Sequence, residues 1–189
     1  MEHLANILTN FILKYNLIDK KNIEIYNYGF QCFLEMSLSA LSCIVISSFL
    51  HMIPECLFFF FFFIPLRSYG GGVHMDTYLG CFIGSCIILT SSLLAVKYLD
   101  FPFAISFLIY VIATILLLII GPVDHPNRKV ATEENLIFKK KELLSVLLSF
   151  ICAILFFFSD NSRYMFLQAI VFLFVFITSF IGRIKYRSS

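Results

Sequence analysis

Between two apolar stretches the chain reads Arg67-Ser-Tyr-Gly-Gly-Gly-Val-His74-Met-Asp76-Thr-Tyr-Leu-Gly-Cys81. A thiol attacks well only as its thiolate. An isolated cysteine titrates near ~8.5, so it needs a partner that takes the proton. Histidine, near ~6.5, can be that partner at neutral pH. His74 and Cys81 are therefore a chemically sufficient pair for nucleophilic attack on a carbonyl. On one continuous helix, residues seven apart are separated by about 10.5 Å along the axis, whereas a hydrogen bond spans about 3 Å. His74 must then lie on a loop that folds back over the start of the helix carrying Cys81. Gly70, Gly71 and Gly72 permit such a turn, and their N–H groups could face a developing oxyanion. Cys81, near the N-terminal end of its span, would feel the positive end of the helix dipole.

Competing readings exist for the same residues. Six cysteines and four histidines offer many accidental pairs. His51 and Cys56 are also close in sequence, but they fall at the other membrane face and read as packing residues. A metal set of His74, Asp76, Cys81 and Cys86 matches no recognised ligand spacing. No metal and no cofactor is expected. No cysteines form CxxC, so a disulfide framework is a poor reading.

The elements that must position this block are membrane spans. Hydrophobic residues make up 60% of the 189 residues and charged ones 14%, against roughly 45–50% and 25% in soluble domains. The apolar residues gather into blocks near the roughly 20-residue length of a span. The expected spans are 33–50 (starting as early as Ile23), 57–66, 79–96, 101–120, 143–158 and 164–181. The second holds Phe58 to Phe63 between Pro54 and Pro65, and reads as a short, tilted or bent crossing. Arg67 to Thr77 is a polar break, and Gly121 to Glu142 the longest polar loop. Ahead of the spans, Leu4, Ile7, Leu8, Phe11, Ile12, Tyr15 and Ile18 share one helical face. Residues 1–22 therefore read as an amphipathic segment lying on the membrane surface. Glu35 is a costly residue to face lipid, and is expected to point at a partner helix or the interior. The whole, 1–189, reads as one membrane-embedded domain: an all-α bundle of about six spans plus an interfacial helix.

Charge sets the orientation. With the N-terminus inside, the segments 1–32, 67–78, 121–142 and 182–189 are cytoplasmic and carry 12 of the 14 lysines and arginines. Only Lys97 and Arg163 lie outside. This bias holds only for an even number of crossings. It puts both termini and the His74–Cys81 block at the cytoplasmic face.

The order Arg67, Gly71-Gly72-x-His74, then Cys81 resembles the accessory gene regulator B (AgrB) family of bacterial membrane peptidases, which process quorum-sensing propeptides. The likeness extends over the chain in length, amphipathic start, span number and the loop opening Gly121-Pro122-Val123-Asp124-His125-Pro126. It implies that Cys81 is the nucleophile and His74 the catalytic histidine, with Arg67 and Gly72 matching the arginine and glycine of the same block. Gly71 and Asp76 join them as oxyanion or substrate support. Asp76 and Asp124 are both open as the group that orients His74. The resemblance further implies a propeptide with an amphipathic leader and an acidic C-terminal tail, cleaved and cyclised to a thiolactone or lactone. It also implies a bacterial cell membrane location, contact with lipid, and compatibility with a homodimer. No nucleic-acid partner is expected. The rival from another class is a small non-catalytic transporter or channel subunit, which would carry paired charges within several spans.

Overall fold

The computed structural model of the chain describes residues 2–15, 23–71, 77–121 and 132–187. Among the described residues there are seven helices: α1 (Glu2–Lys14), α2 (Ile23–Leu50), α3 (Ile53–Gly70), α4 (Tyr78–Tyr98), α5 (Phe103–Ile120), α6 (Thr132–Phe158) and α7 (Ser162–Arg187). Six of them, α2 to α7, are long and apolar enough to cross a membrane. The expected all-helical, six-span architecture is therefore what the chain adopts. The chain divides into two compact units, Met1–Ile46 and Ser47–Ser189.

In the first unit, α1 buries Ala5 and Thr9 and leaves Leu4, Ile7 and Phe11 exposed, as is Tyr15 just past its end. An exposed apolar face is what a helix on a lipid surface presents. Residues 16–22 of the expected amphipathic segment lie outside the described residues. The Glu35 carboxylate takes a hydrogen bond from Gln31 Nε2, at 3.1 Å, one turn earlier on α2. Glu35 itself is half-buried.

In the second unit, α7 is the central helix. Met165, Leu167, Gln168, Ala169, Val171, Phe172 and Val175 on it are fully buried, and it packs against α3, α4, α5 and α6. Large apolar side chains such as Phe49, Ile119 and Phe158 point outward, as they must where the solvent is lipid. Helices in lipid gain little from burying one apolar surface on another, so close packing and polar contacts hold them. The Tyr110 hydroxyl on α5 and the Ser149 hydroxyl on α6 share a hydrogen bond of 2.7 Å. Gln168 Nε2 on α7 donates to the Ser149 carbonyl at 2.7 Å. Three helices are pinned together at this level.

The phenylalanine block forms one continuous 18-residue helix, about 27 Å long. That is close to the hydrocarbon thickness of about 30 Å, so α3 is long and apolar enough to cross as a short span. Pro54 sits in its first turn, where no N–H is needed. Pro65 removes one backbone donor, yet the helix continues to Gly70. Phe59, Phe62 and Leu66 line its buried side. Phe58 meets Phe156 at 5.5 Å and Tyr164 at 5.3 Å, and Phe62 meets Phe172 at 6.3 Å.

Two boundaries differ from the hydropathy reading. Arg67 to Gly70 belong to the last turn of α3, not to the polar break. Residues 132–142 form the first three turns of α6, not the tail of a loop. At the α2–α3 turn, His51 adopts a left-handed φ of 56° and is exposed, while Cys56 is buried. His51 is thus a turn residue, and of that pair only Cys56 packs inside.

Candidate functional site

The reactive block is launched by the end of α3 and received by the start of α4. α3 stops because Gly71 takes φ 74° and ψ −153°, a conformation that L side chains rarely adopt. The Arg67 Nη1 group donates to the Gly71 carbonyl at 2.9 Å. The arginine thereby ties down the residue that breaks its own helix. Of the three glycines, Gly70 remains helical and Gly71 makes the turn.

On the other side of the connection, Thr77 caps α4. Its backbone is extended, and its hydroxyl accepts from the Gly80 N–H at 3.3 Å. Cys81 follows in the first turn, its N–H bonded to the Thr77 carbonyl at 3.2 Å. The Cys81 residue is half-buried. Cys43, Cys56, Cys81, Cys86 and Cys152 are all thiols rather than disulfides. A half-buried thiol in the first turn of a capped helix lies beside the leading backbone N–H groups of that helix. Such an arrangement can attack a carbonyl and offer donors to the oxygen that becomes charged. His74, Gly72 and Asp76 lie outside the described residues, as does Asp124.

α6 grips the end of α3. Phe138 stacks on Tyr69, with ring centroids 6.2 Å apart and planes at 28°. Lys141 Nζ sits 5.0 Å from the centroid of the same tyrosine ring, within cation–π range. One residue further, the Glu142 side chain reaches Gly70: a Cβ placed there would stand 3.0 Å from Glu142 Oε1. Glu142 is 1% exposed. The sequence reading left it as the last residue of a polar loop. Its signal was helical phase: Glu142, Ser145, Val146, Ser149 and Ala153 form one buried stripe at i, i+3, i+4, i+7 and i+11. Small residues on such a stripe let α6 approach its neighbours closely. At the same end, Arg183 on α7 donates to the Ile120 carbonyl that closes α5.

Among the described residues no group of three or more histidines, cysteines and carboxylates could hold a metal ion.

Comparison with known proteins bears on the whole chain. The model of the family described as "Accessory gene regulator B" matches residues 5–181. An AgrB-like protein 2 of Clostridium perfringens strain 13 is 26% identical over 154 residues, covering 78% of this chain and 72% of that one. An AgrB-like protein of Clostridium perfringens strain SM101 is 27% identical over 154 residues, with the same shares covered. No solved structure matches. The family match runs through α3, α4 and the connection between them, and on it the chain belongs to the accessory gene regulator B family.

Proposed function

We propose that this protein is a membrane cysteine endopeptidase that cleaves a quorum-sensing propeptide and promotes its cyclisation. The observation that carries this reading is the placement of Cys81. In a chain of this family, a half-buried thiol opens a capped helix directly after the glycine-ended helix α3. Residues 1–189 act as one membrane-embedded unit, with both termini and the site at the cytoplasmic face of a bacterial membrane. The distribution of lysines and arginines supports that orientation.

In this reading His74 takes the Cys81 proton, and the thiolate attacks the backbone carbonyl before the acidic tail of the propeptide. The C–N bond breaks, and the tail leaves as an amine carrying the proton from His74. The remaining peptide stays on Cys81 as a thioester. A thiol or hydroxyl side chain within the peptide then attacks that acyl group, loses its proton to the site and frees the Cys81 thiol. Exchange of one thioester for another is nearly balanced, so the ring can close without ATP. Water must be kept out, or hydrolysis wins, and a site at the bilayer edge meets that need. Arg67, Gly71, Gly72 and Asp76 support the oxyanion or the substrate. The amphipathic leader of the propeptide would share the lipid surface with the exposed apolar face of α1. A second copy of the chain and lipid are its other expected partners.

The test is Cys81→Ala, co-expressed with a candidate propeptide that has an amphipathic leader and an acidic tail. Processing should fall below detection, at a membrane protein level equal to that of the unaltered chain. Undiminished processing by a normally accumulated variant would sink the peptidase reading and favour a non-catalytic membrane protein.

A further inference from the structure

Lys97 and Arg163 are the two basic residues that the charge pattern sets apart from the other twelve, and the second unit brings them to one place. Lys97 lies in the last turn of α4, whose first turn holds Cys81, and Arg163 lies in the first turn of α7. Both line one open cavity of about 390 Å³, within the roughly 300–1,000 Å³ of small-molecule sites. Ser162 and Asp100 line it too. Phe101 and Phe166, stacked with centroids 4.5 Å apart and planes at 15°, supply an apolar wall. Basic side chains at span ends ordinarily swing toward whatever lipid phosphate is near. These two are held in place instead. Lys97 Nζ donates at 3.1 Å to the carbonyl of Leu50, the last residue of α2. Arg163 Nη2 meets Glu55 Oε1 at 2.7 Å. An ammonium has three donors and a guanidinium five, so each cation keeps donors for a ligand. Asp100 is exposed and forms no ion pair among the described residues. The cavity thus presents two fixed cations and an open carboxylate beside an aromatic wall, at the end of the spans where head groups lie. A bare anion would meet the cations but also Asp100. A phosphate with an amine attached matches both signs.

We propose that this cavity binds the head group of an amine-bearing phospholipid, with its phosphate on Lys97 and Arg163 and its ammonium on Asp100. Lysine and arginine hold phosphate through charge-assisted hydrogen bonds, and basic pockets between spans are where particular head groups bind. Tyr98 and Leu99, which follow Lys97, are exposed and give the acyl chains an apolar surface to lie against. A soluble phosphate compound would leave that surface unused. The site is independent of the cysteine chemistry, because binding is read with no propeptide present.

The experiment uses the full-length protein purified in dodecyl maltoside, as wild type, Lys97→Gln, Asp100→Asn and Arg163→Lys. Each is titrated with phosphatidylethanolamine and with phosphatidylglycerol, whose head group has no amine. Bound lipid is counted by native mass spectrometry, and thermal unfolding is followed on the same samples. Wild type should take up one phosphatidylethanolamine at a saturable site and unfold at a higher temperature with it. Lys97→Gln should weaken both lipids about tenfold, the loss of one charge-assisted bond. Asp100→Asn alters an exposed, unpaired group and should unfold without lipid at the wild-type temperature. It should weaken phosphatidylethanolamine about fivefold and leave phosphatidylglycerol within about twofold, since only the amine contact is lost. Arg163→Lys keeps a cation beside Glu55 and should weaken binding less than Lys97→Gln does. Phosphatidylethanolamine binding like that of wild type in both Lys97→Gln and Asp100→Asn overturns the site. Equal loss of both lipids in Asp100→Asn overturns the amine contact and with it the choice of head group. Displacement of the lipid by glycerophosphoethanolamine or inorganic phosphate at matching concentration makes the ligand a soluble phosphate compound and overturns the lipid assignment.

Discussion

At the scale of single residues, Gly71 is the position with least freedom. Its φ of 74° and ψ of −153° lie where a Cβ is strained, at a cost of order 1–3 kcal/mol. Gly71→Ala should therefore unwind the end of α3, release the Arg67–Gly71 bond and lower processing at least tenfold. Gly84, in the middle of α4, has open space where its Cβ would go. Gly84→Ala should leave processing unchanged and gain up to about 1 kcal/mol of helix stability. Processing assays on both variants, with thermal unfolding in detergent, check the pair. Equal loss of activity in both would remove the special role of Gly71. Arg67, Gly71 and Cys81 are legible through their resemblance to one family block; type and spacing alone leave a thiol beside a glycine run as one of many accidental pairings. Glu142 was not legible in that way. An acid that follows Lys139, Lys140 and Lys141 reads as solvated, and only the phase of the helix beneath it shows that it turns inward.

At the scale of elements, the phenylalanine run of α3 separates packing from hydrophobicity. All six side chains are equally apolar, but Phe59 and Phe62 are 1% exposed while Phe61 is 59% exposed. In lipid an exposed phenylalanine has lost nothing by facing outward, whereas an inward one fills a space no lipid tail can reach. Phe62→Ala should cost about 3 kcal/mol, in the range of other buried aromatic truncations. Phe61→Ala should stay within about 0.5 kcal/mol, as surface changes do. Unfolding of the purified variants in mixed micelles measures both, and similar costs would contradict the assigned faces. Hydropathy located α3 but ended it four residues early, at Leu66, since Arg67 to Gly70 are polar or small while still helical. The start of α6 was missed by more. Residues 132–142 carry three lysines and three acids, so an apolar scale sees a loop there. The helix persists because Phe138 and Lys141 have the Tyr69 ring to rest on, a contact between segments about 70 positions apart that no local window contains.

At the scale of the whole molecule, the two ends of the second unit are built differently, and the difference predicts how stability and activity separate. The Cys81 end is closed by the α3–α6 contact and by Arg183 on the end of α5. The other end is closed by an ion pair, Arg163 Nη2 to Glu55 Oε1 at 2.7 Å, joining the first turns of α3 and α7. Charge counting along the sequence left Arg163 as one of two basic residues on the less basic face, with no partner named. Its partner is Glu55, which sequence distance hides: α3 and α7 are far apart in the chain, but they run parallel, so their first turns meet. The arginine side chain is half exposed and the glutamate nearly buried. The pair is therefore screened on one side, and its net worth lies nearer the lower figures for surface pairs than those for buried ones. Removing only the arginine strands the carboxylate in a poor solvent, which is the costly direction. Arg163→Met should thus destabilise the protein by about 1–3 kcal/mol. The double variant Glu55→Gln with Arg163→Met should recover part of that loss, because no charge is then left unpaired. Neither should move the pH profile of Cys81 alkylation, since the pair lies at the far end of α3 from the block that feeds α4. Thermal unfolding of the two single variants and the double variant gives the coupling energy, and alkylation of the same samples reads the site. A shifted profile in Arg163→Met would mean that the two ends are coupled through α3, and the separation of stability from chemistry would then fail.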